Sequence, residues 1–109
     1  MVPGAIIYDL KIADDASPDR SERTAYTLGY HIQAAAYTRA LAALHPRLGG
    51  RIDFRFLFVE PRRPYAHYDP RTDGAFRQLG EMQWLRAVHA WGRGLATAEW
   101  PGYRTEATA

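Results

Sequence analysis

A chain of 109 residues has the size of one small domain, and 47% hydrophobic residues supply enough apolar material for a modest core, which argues against wholesale disorder. No stretch approaches the ~18 apolar residues of a membrane span, and MVPGAIIYDL lacks a basic leader region, so neither a span nor a signal peptide is expected. Cysteine is absent, which excludes disulfide scaffolds, thiolate zinc sites and cysteine nucleophiles and makes the cytoplasm the default location. The net charge is only +2, but thirteen of the fourteen basic residues are arginine. Lys11 is the sole lysine, a compact ammonium where guanidinium is the chain's habit.

Residues 5–12 (AIIYDLKI) are short and β-branched and predict a strand. Alternation puts Tyr8, Leu10 and Ile12 on one face and Ile7, Asp9 and Lys11 on the other. Apolar residues on both faces predict an interior strand. ADDAS follows as a loop. Ser17-Pro18 then opens a short helix that should end near Gly29, with Asp19 and Glu22 favoured in its first turn.

A second helix is expected over 30–44, stopped by His45-Pro46, with Tyr30, Gln33, Tyr37, Leu41 and Leu44 as its apolar stripe. Ala34, Ala35 and Ala36 are small enough for close approach to a sheet. Residues 51–59 (RIDFRFLFV) predict a second strand with Ile52, Phe54, Phe56 and Phe58 on one face. Arg62-Arg63 lies in a loop between prolines, and 65–68 can form a short edge strand. Residues 72–95 predict a long helix with Phe76, Leu79, Gln83, Val88, Trp91 and Leu95 near one stripe. Trp100-Pro101-Gly102-Tyr103 predicts a turn with a frayed tail after it. The order implies one α/β domain over 1–109, a mixed β-sheet flanked by helices.

Asp9 and Lys11 stand two apart on a strand, so they share a face with α-carbons ~6.5–7 Å apart. A carboxylate there can hold a hard divalent cation, and an ammonium beside it can steady a phosphate or an attacking water. Alone, D-x-K reads more simply as a salt bridge at a sheet edge. Gln33 and Tyr37 stand at i and i+4 on one helix face. A glutamine inside an apolar stripe must find a polar partner, either its own tyrosine or backbone, or a site at the end of the first strand. His31 reads as a core or cap histidine. His45, His67 and His89 show no metal-binding spacing. Trp84, Trp91 and Trp100 read as packing residues rather than base-stacking platforms.

Taken together, IIYDLKIADDAS, GYHIQAAAYTRAL, FLFVEPRRPYAHYD and WPGY resemble the exodeoxyribonuclease VIII-like (RecE-like and RecB-like) branch of the PD-(D/E)XK nuclease superfamily. The likeness runs over about residues 5–103. Asp9-Leu10-Lys11 matches the end of the family's active-site strand, and Gln33-Ala34-Ala35-Ala36-Tyr37 matches its Q-x-x-x-Y helix. The resemblance implies metal-dependent hydrolysis of DNA, typically at double-stranded ends, in settings such as phage recombination. It implies that Asp9 and the Leu10 carbonyl hold Mg²⁺ or Mn²⁺. Lys11 would place the nucleophilic water, and Gln33 and Tyr37 would orient the site or touch the DNA backbone.

The family's pattern also has an aspartate on the preceding strand, and none of the eight residues before Asp9 is acidic. The expectation is therefore a restriction-endonuclease-like core lacking its first strand, the C-terminal part of a longer nuclease or one completed by another chain. The alternative is a non-catalytic nucleic-acid-binding or assembly module on the same fold. The open sheet edge that such a loss leaves at Ile6, Ile7 and Tyr8 makes a homo-oligomer a reasonable expectation.

Overall fold

The computed structural model describes residues 4–70, 72 and 74–102. It is a mixed α/β unit: β1 (Ala5–Ile12), α1 (Pro18–Thr27), α2 (Tyr30–Leu44), β2 (Ile52–Val59), β3 (His67–Tyr68) and α3 (Gly74–Thr97), with one 3-10 turn at Pro46–Leu48. These elements follow the expected order, with α3 beginning and ending two residues later. The Tyr103 end of the anticipated turn and the tail beyond it lie outside the described residues.

The sheet order is β1-β2-β3. β1 and β2 run parallel in a register from Ala5 opposite Ile52 to Ile12 opposite Val59. β3 adds antiparallel, with Phe58 opposite Tyr68. The Tyr68 hydroxyl donates to Glu22 Oε1 at 2.9 Å, which ties the short strand to α1.

The core sits on one face of β2. Phe54, Phe56 and Phe58 are buried, and Ala16, Ala25, Ala34 and Phe76 close over them. Phe54 and Phe56 pack at 4.9 Å between centroids, and Phe76 meets Phe56 edge-on at 6.2 Å. Each buried phenylalanine contributes about 1.5–3 kcal/mol from lost apolar surface. The alternation read from RIDFRFLFV is therefore the pattern that locates the core.

Three expectations drawn from residue patterns are corrected. β1 is not the interior strand that its two apolar faces predicted but an edge strand, paired only with β2 among the described residues; an open edge at this strand was the other expectation. Its apolar residues on two faces reflect a bare face rather than two covered ones: Ile6, Tyr8, Leu10 and Ile12 are all exposed, Leu10 by 58%.

On α2 the buried residues are His31, Ala34 and Ala35, while Tyr37 is exposed and Leu44 is 75% exposed. The small residues face the neighbours because α2 crosses α3 closely. A Cβ on Gly80 would lie 2.0 Å from the His31 carbonyl oxygen, so only glycine permits that crossing. His31 is a core histidine, its Nε2 at 2.7 Å from Gln83 Oε1 and its ring against Tyr26 and Phe76.

On α3 only the first half of the anticipated stripe packs. Phe76 is buried, but Val88, Trp91 and Leu95 are exposed. The helix outruns the body of the domain. Trp100 folds back on it, with its ring against Gly94 and 5.0 Å from Trp91. The tryptophans pack, but Trp91 and Trp100 do so on each other rather than in the core.

Gly80→Ala should lower stability by about 1–3 kcal/mol, seen as a lower urea midpoint. Gly92→Ala serves as the contrast: its added carbon meets nothing within 4 Å. That substitution should raise stability by up to about 1 kcal/mol through helix propensity.

Candidate functional site

Asp9 and Lys11 project from the helix-covered face of β1, as alternation requires, and meet the first turns of α2. Lys11 Nζ lies 2.8 Å from Asp9 Oδ2 and donates to Gln33 Oε1 at 2.9 Å. Gln33 Nε2 donates onward to the Tyr37 hydroxyl at 3.3 Å. The Tyr30 ring supports the ammonium from 4.2 Å, a cation–π contact. The four expected residues thus form one continuous polar string. Both alternatives weighed for these residues are also present: D-x-K is an ion pair at a sheet edge, and the glutamine bonds its own tyrosine.

Burial sharpens the electrostatics. The side chains of Lys11 and Asp9 are only 19% and 20% exposed. An ion pair so enclosed is held largely out of water, where charge interactions strengthen and a missing partner costs more. Asp9 Oδ2 is close to the ammonium yet outside hydrogen-bond geometry, and among the described residues it has no other donor. Lysine has three N–H donors, and Gln33 takes one.

Tyr30 was not singled out for the site by sequence reasoning, although the signal was present. It stands three residues before Gln33 and seven before Tyr37, on the same helix face. Its ring also stacks on Phe56 at 5.6 Å, so it joins the core to the charge. Leu10 is placed differently from its neighbours. Ala5 and Ala13 donate their N–H groups toward β2. In a parallel ladder the even residues of β1 therefore point their N–H and C=O to the free edge. The Leu10 carbonyl is directed there, and its side chain lies on the bare face.

Beyond the end of β1 a cleft of about 250 Å³ is lined by Lys11, Asp14, Asp15, Arg20 and Tyr30, among others. It carries two cations and two carboxylates. Asp15 is occupied as a helix-start residue: its Oδ1 accepts the Ser17 backbone N–H at 2.9 Å, and that bond holds its carboxyl below the usual range. Glu60 Oε2 likewise accepts the Ala16 N–H at 2.9 Å.

The arrangement does not fit a resident Mg²⁺ or Mn²⁺. Asp9 is the one carboxylate in the string, and it already faces an ammonium. Among the described residues no three of His, Cys, Asp or Glu converge. Among them, too, no helix is long and apolar enough to cross a membrane. Comparison with protein-family models finds no match, and comparison with curated proteins finds none.

Two outcomes test this geometry. Lys11→Met strands Asp9 and should cost about 1–3 kcal/mol, with part of the loss recovered by adding Asp9→Asn; a urea double-mutant cycle measures the coupling. The Asp15 contribution has a defined sign. Its folded pKa lies below the unfolded one, so its stabilisation is present above 3.8 and is lost as the pH falls through the folded value. Asp15→Asn should flatten that part of the acid-unfolding limb in a pH series followed by circular dichroism.

Proposed function

We propose that this chain is a nuclease-type domain directed at DNA phosphodiesters, of the PD-(D/E)XK kind that its motifs resemble, with linear duplex ends as its substrate class. The observation that carries the reading is the Lys11 ammonium, held at once by Asp9, Gln33 and the Tyr30 ring. A lysine fixed on three sides loses little further freedom on meeting a phosphate, so its charge is available in a set position. In this reading Lys11 steadies the non-bridging oxygens of the scissile group. Gln33 and Tyr37 are positioning residues that act through Lys11. Arg20, which lines the same cleft, supplies a second cation toward the backbone.

Asp9 is the residue that would contribute a carboxylate to a divalent cation. Because the string holds only that one, hydrolysis requires further anionic ligands from beyond it. The lone carboxylate also favours a second reading, a DNA-binding or assembly module that does not cut. A restriction-endonuclease-like core and a cytoplasmic setting belong to both readings.

The deciding experiment is a time course on end-labelled linear duplex DNA with Mg²⁺ or Mn²⁺, run beside a binding assay at several salt concentrations. The nuclease reading expects cleavage by the wild type and a loss of at least about a hundredfold in Lys11→Ala. Binding without cleavage, unaffected by metal and by Lys11→Ala, would establish the second reading. A folded protein that neither binds nor cuts overturns both.

A further inference from the structure

Among the described residues, the outer edge of β1 has no partner strand and lacks the usual protections. Its outward N–H and C=O groups belong to Ile6, Tyr8, Leu10 and Ile12, and the same four residues carry the exposed apolar side chains. The strand has no proline, and no charge stands on its bare face. Such an edge is a template for another strand.

We infer that the occupant is a second copy of this chain, paired β1 to β1 antiparallel about a two-fold axis at Leu10. The charge pattern on the covered face selects this pairing. The even residues present their backbones to the edge, so they form the hydrogen-bonded pairs and the odd residues the close, non-bonded pairs, with α-carbons about 4.5 Å apart.

Only a few registers satisfy that parity. One sets Asp9 against Asp9 of the second copy, and another sets Lys11 against Lys11; like charges directly opposed are destabilising. A third, centred on Tyr8, sets both charges against Ile7 and Ala5. The register centred on Leu10 sets each Asp9 opposite the other copy's Lys11. It also stacks Tyr8 on Ile12 and Leu10 on Leu10 across the bare face.

The charges are within reach of the seam. The Lys11 and Asp9 side chains each keep about a fifth of their surface exposed, and Lys11 has N–H groups beyond the one given to Gln33. In this register each meets the opposite charge of the second copy across the seam. The pairing joins two three-stranded sheets into one of six, with the helices of both copies on the same side. It also gathers two Asp9 and two Lys11 side chains at the seam. The inference stands apart from the phosphodiester reading, since its tests read association and not cleavage.

The chain contains no cysteine, so single cysteines report register cleanly. Under mild oxidation Leu10→Cys should form a disulfide-linked dimer, because directly paired α-carbons fall within disulfide reach. Tyr8→Cys should not cross-link to itself but should do so when mixed with Ile12→Cys. Leu44→Cys, on an exposed helix end, controls for collision.

By sedimentation the wild type should run at twice the 12.3 kDa chain mass. Leu10→Lys sets two ammoniums face to face and should weaken the dimer roughly a hundredfold, with an unchanged circular dichroism spectrum. Asp9→Lys should also weaken it, and the double variant Asp9→Lys, Lys11→Asp should restore it, since the exchanged charges remain opposite one another. A wild type monomeric at every concentration, a dimer that survives Leu10→Lys, or self-cross-linking of Tyr8→Cys but not of Leu10→Cys would overturn the inference.

Discussion

Every other placement in this fold depends on the phenylalanine face of β2. Phe54, Phe56 and Phe58 project to one side of the central strand, and all three helices are drawn to that side to cover them. A sheet of three strands has little area to share. Once one face has gathered the helices, the other face of β1 is left bare among the described residues, and so is its outer edge. The two halves of the molecule, closed and open, follow from where three aromatic rings point.

The polar string on β1 depends on the same packing. Tyr30 stacks on Phe56 and also supports the Lys11 ammonium. Through Tyr30 the position of the charge is referred to the rigid core. Gln33 follows one turn later on α2 and Tyr37 one turn after that, so a single helix face sets the geometry of the whole string. The close crossing of α2 over α3 at Gly80 fixes that helix in turn. A change at Gly80, remote in sequence from Lys11, therefore bears on where the ammonium sits.

The element order and the mixed α/β class were legible because periodicity and stop signals are local. RIDFRFLFV alternates without interruption, and His45-Pro46 ends α2 where expected. What was not legible depends on partners. AIIYDLKI carries apolar residues on both faces, and sequence alone cannot tell a doubly covered strand from an edge strand with one face bare. On α2 the long residues suggested the stripe, but the intimacy of the α2–α3 crossing gives the buried positions to alanine and histidine. On α3 the stripe runs the length of the helix, while the body it packs against does not. The pairing of Asp9 with Lys11 and of Gln33 with Tyr37 was readable from spacing on a strand and on a helix, whereas the meeting of the two pairs was only one of the alternatives left open for Gln33. The support given by Tyr30 was not readable, because a tyrosine at the start of an apolar stripe reads first as core.

The projecting end of α3 has a practical consequence for anyone following this protein in solution. Trp91 and Trp100 are exposed and touch each other at that end, and Trp84 is half-buried on the same helix. Indole emission therefore reports chiefly on a peripheral arm. A fluorescence melt would register release of Trp100 from Gly94 and Trp91 while the phenylalanine core is still intact. The optical signal that most laboratories reach for first would thus describe the fraying of a helix end, and backbone ellipticity would be needed to see the domain itself unfold.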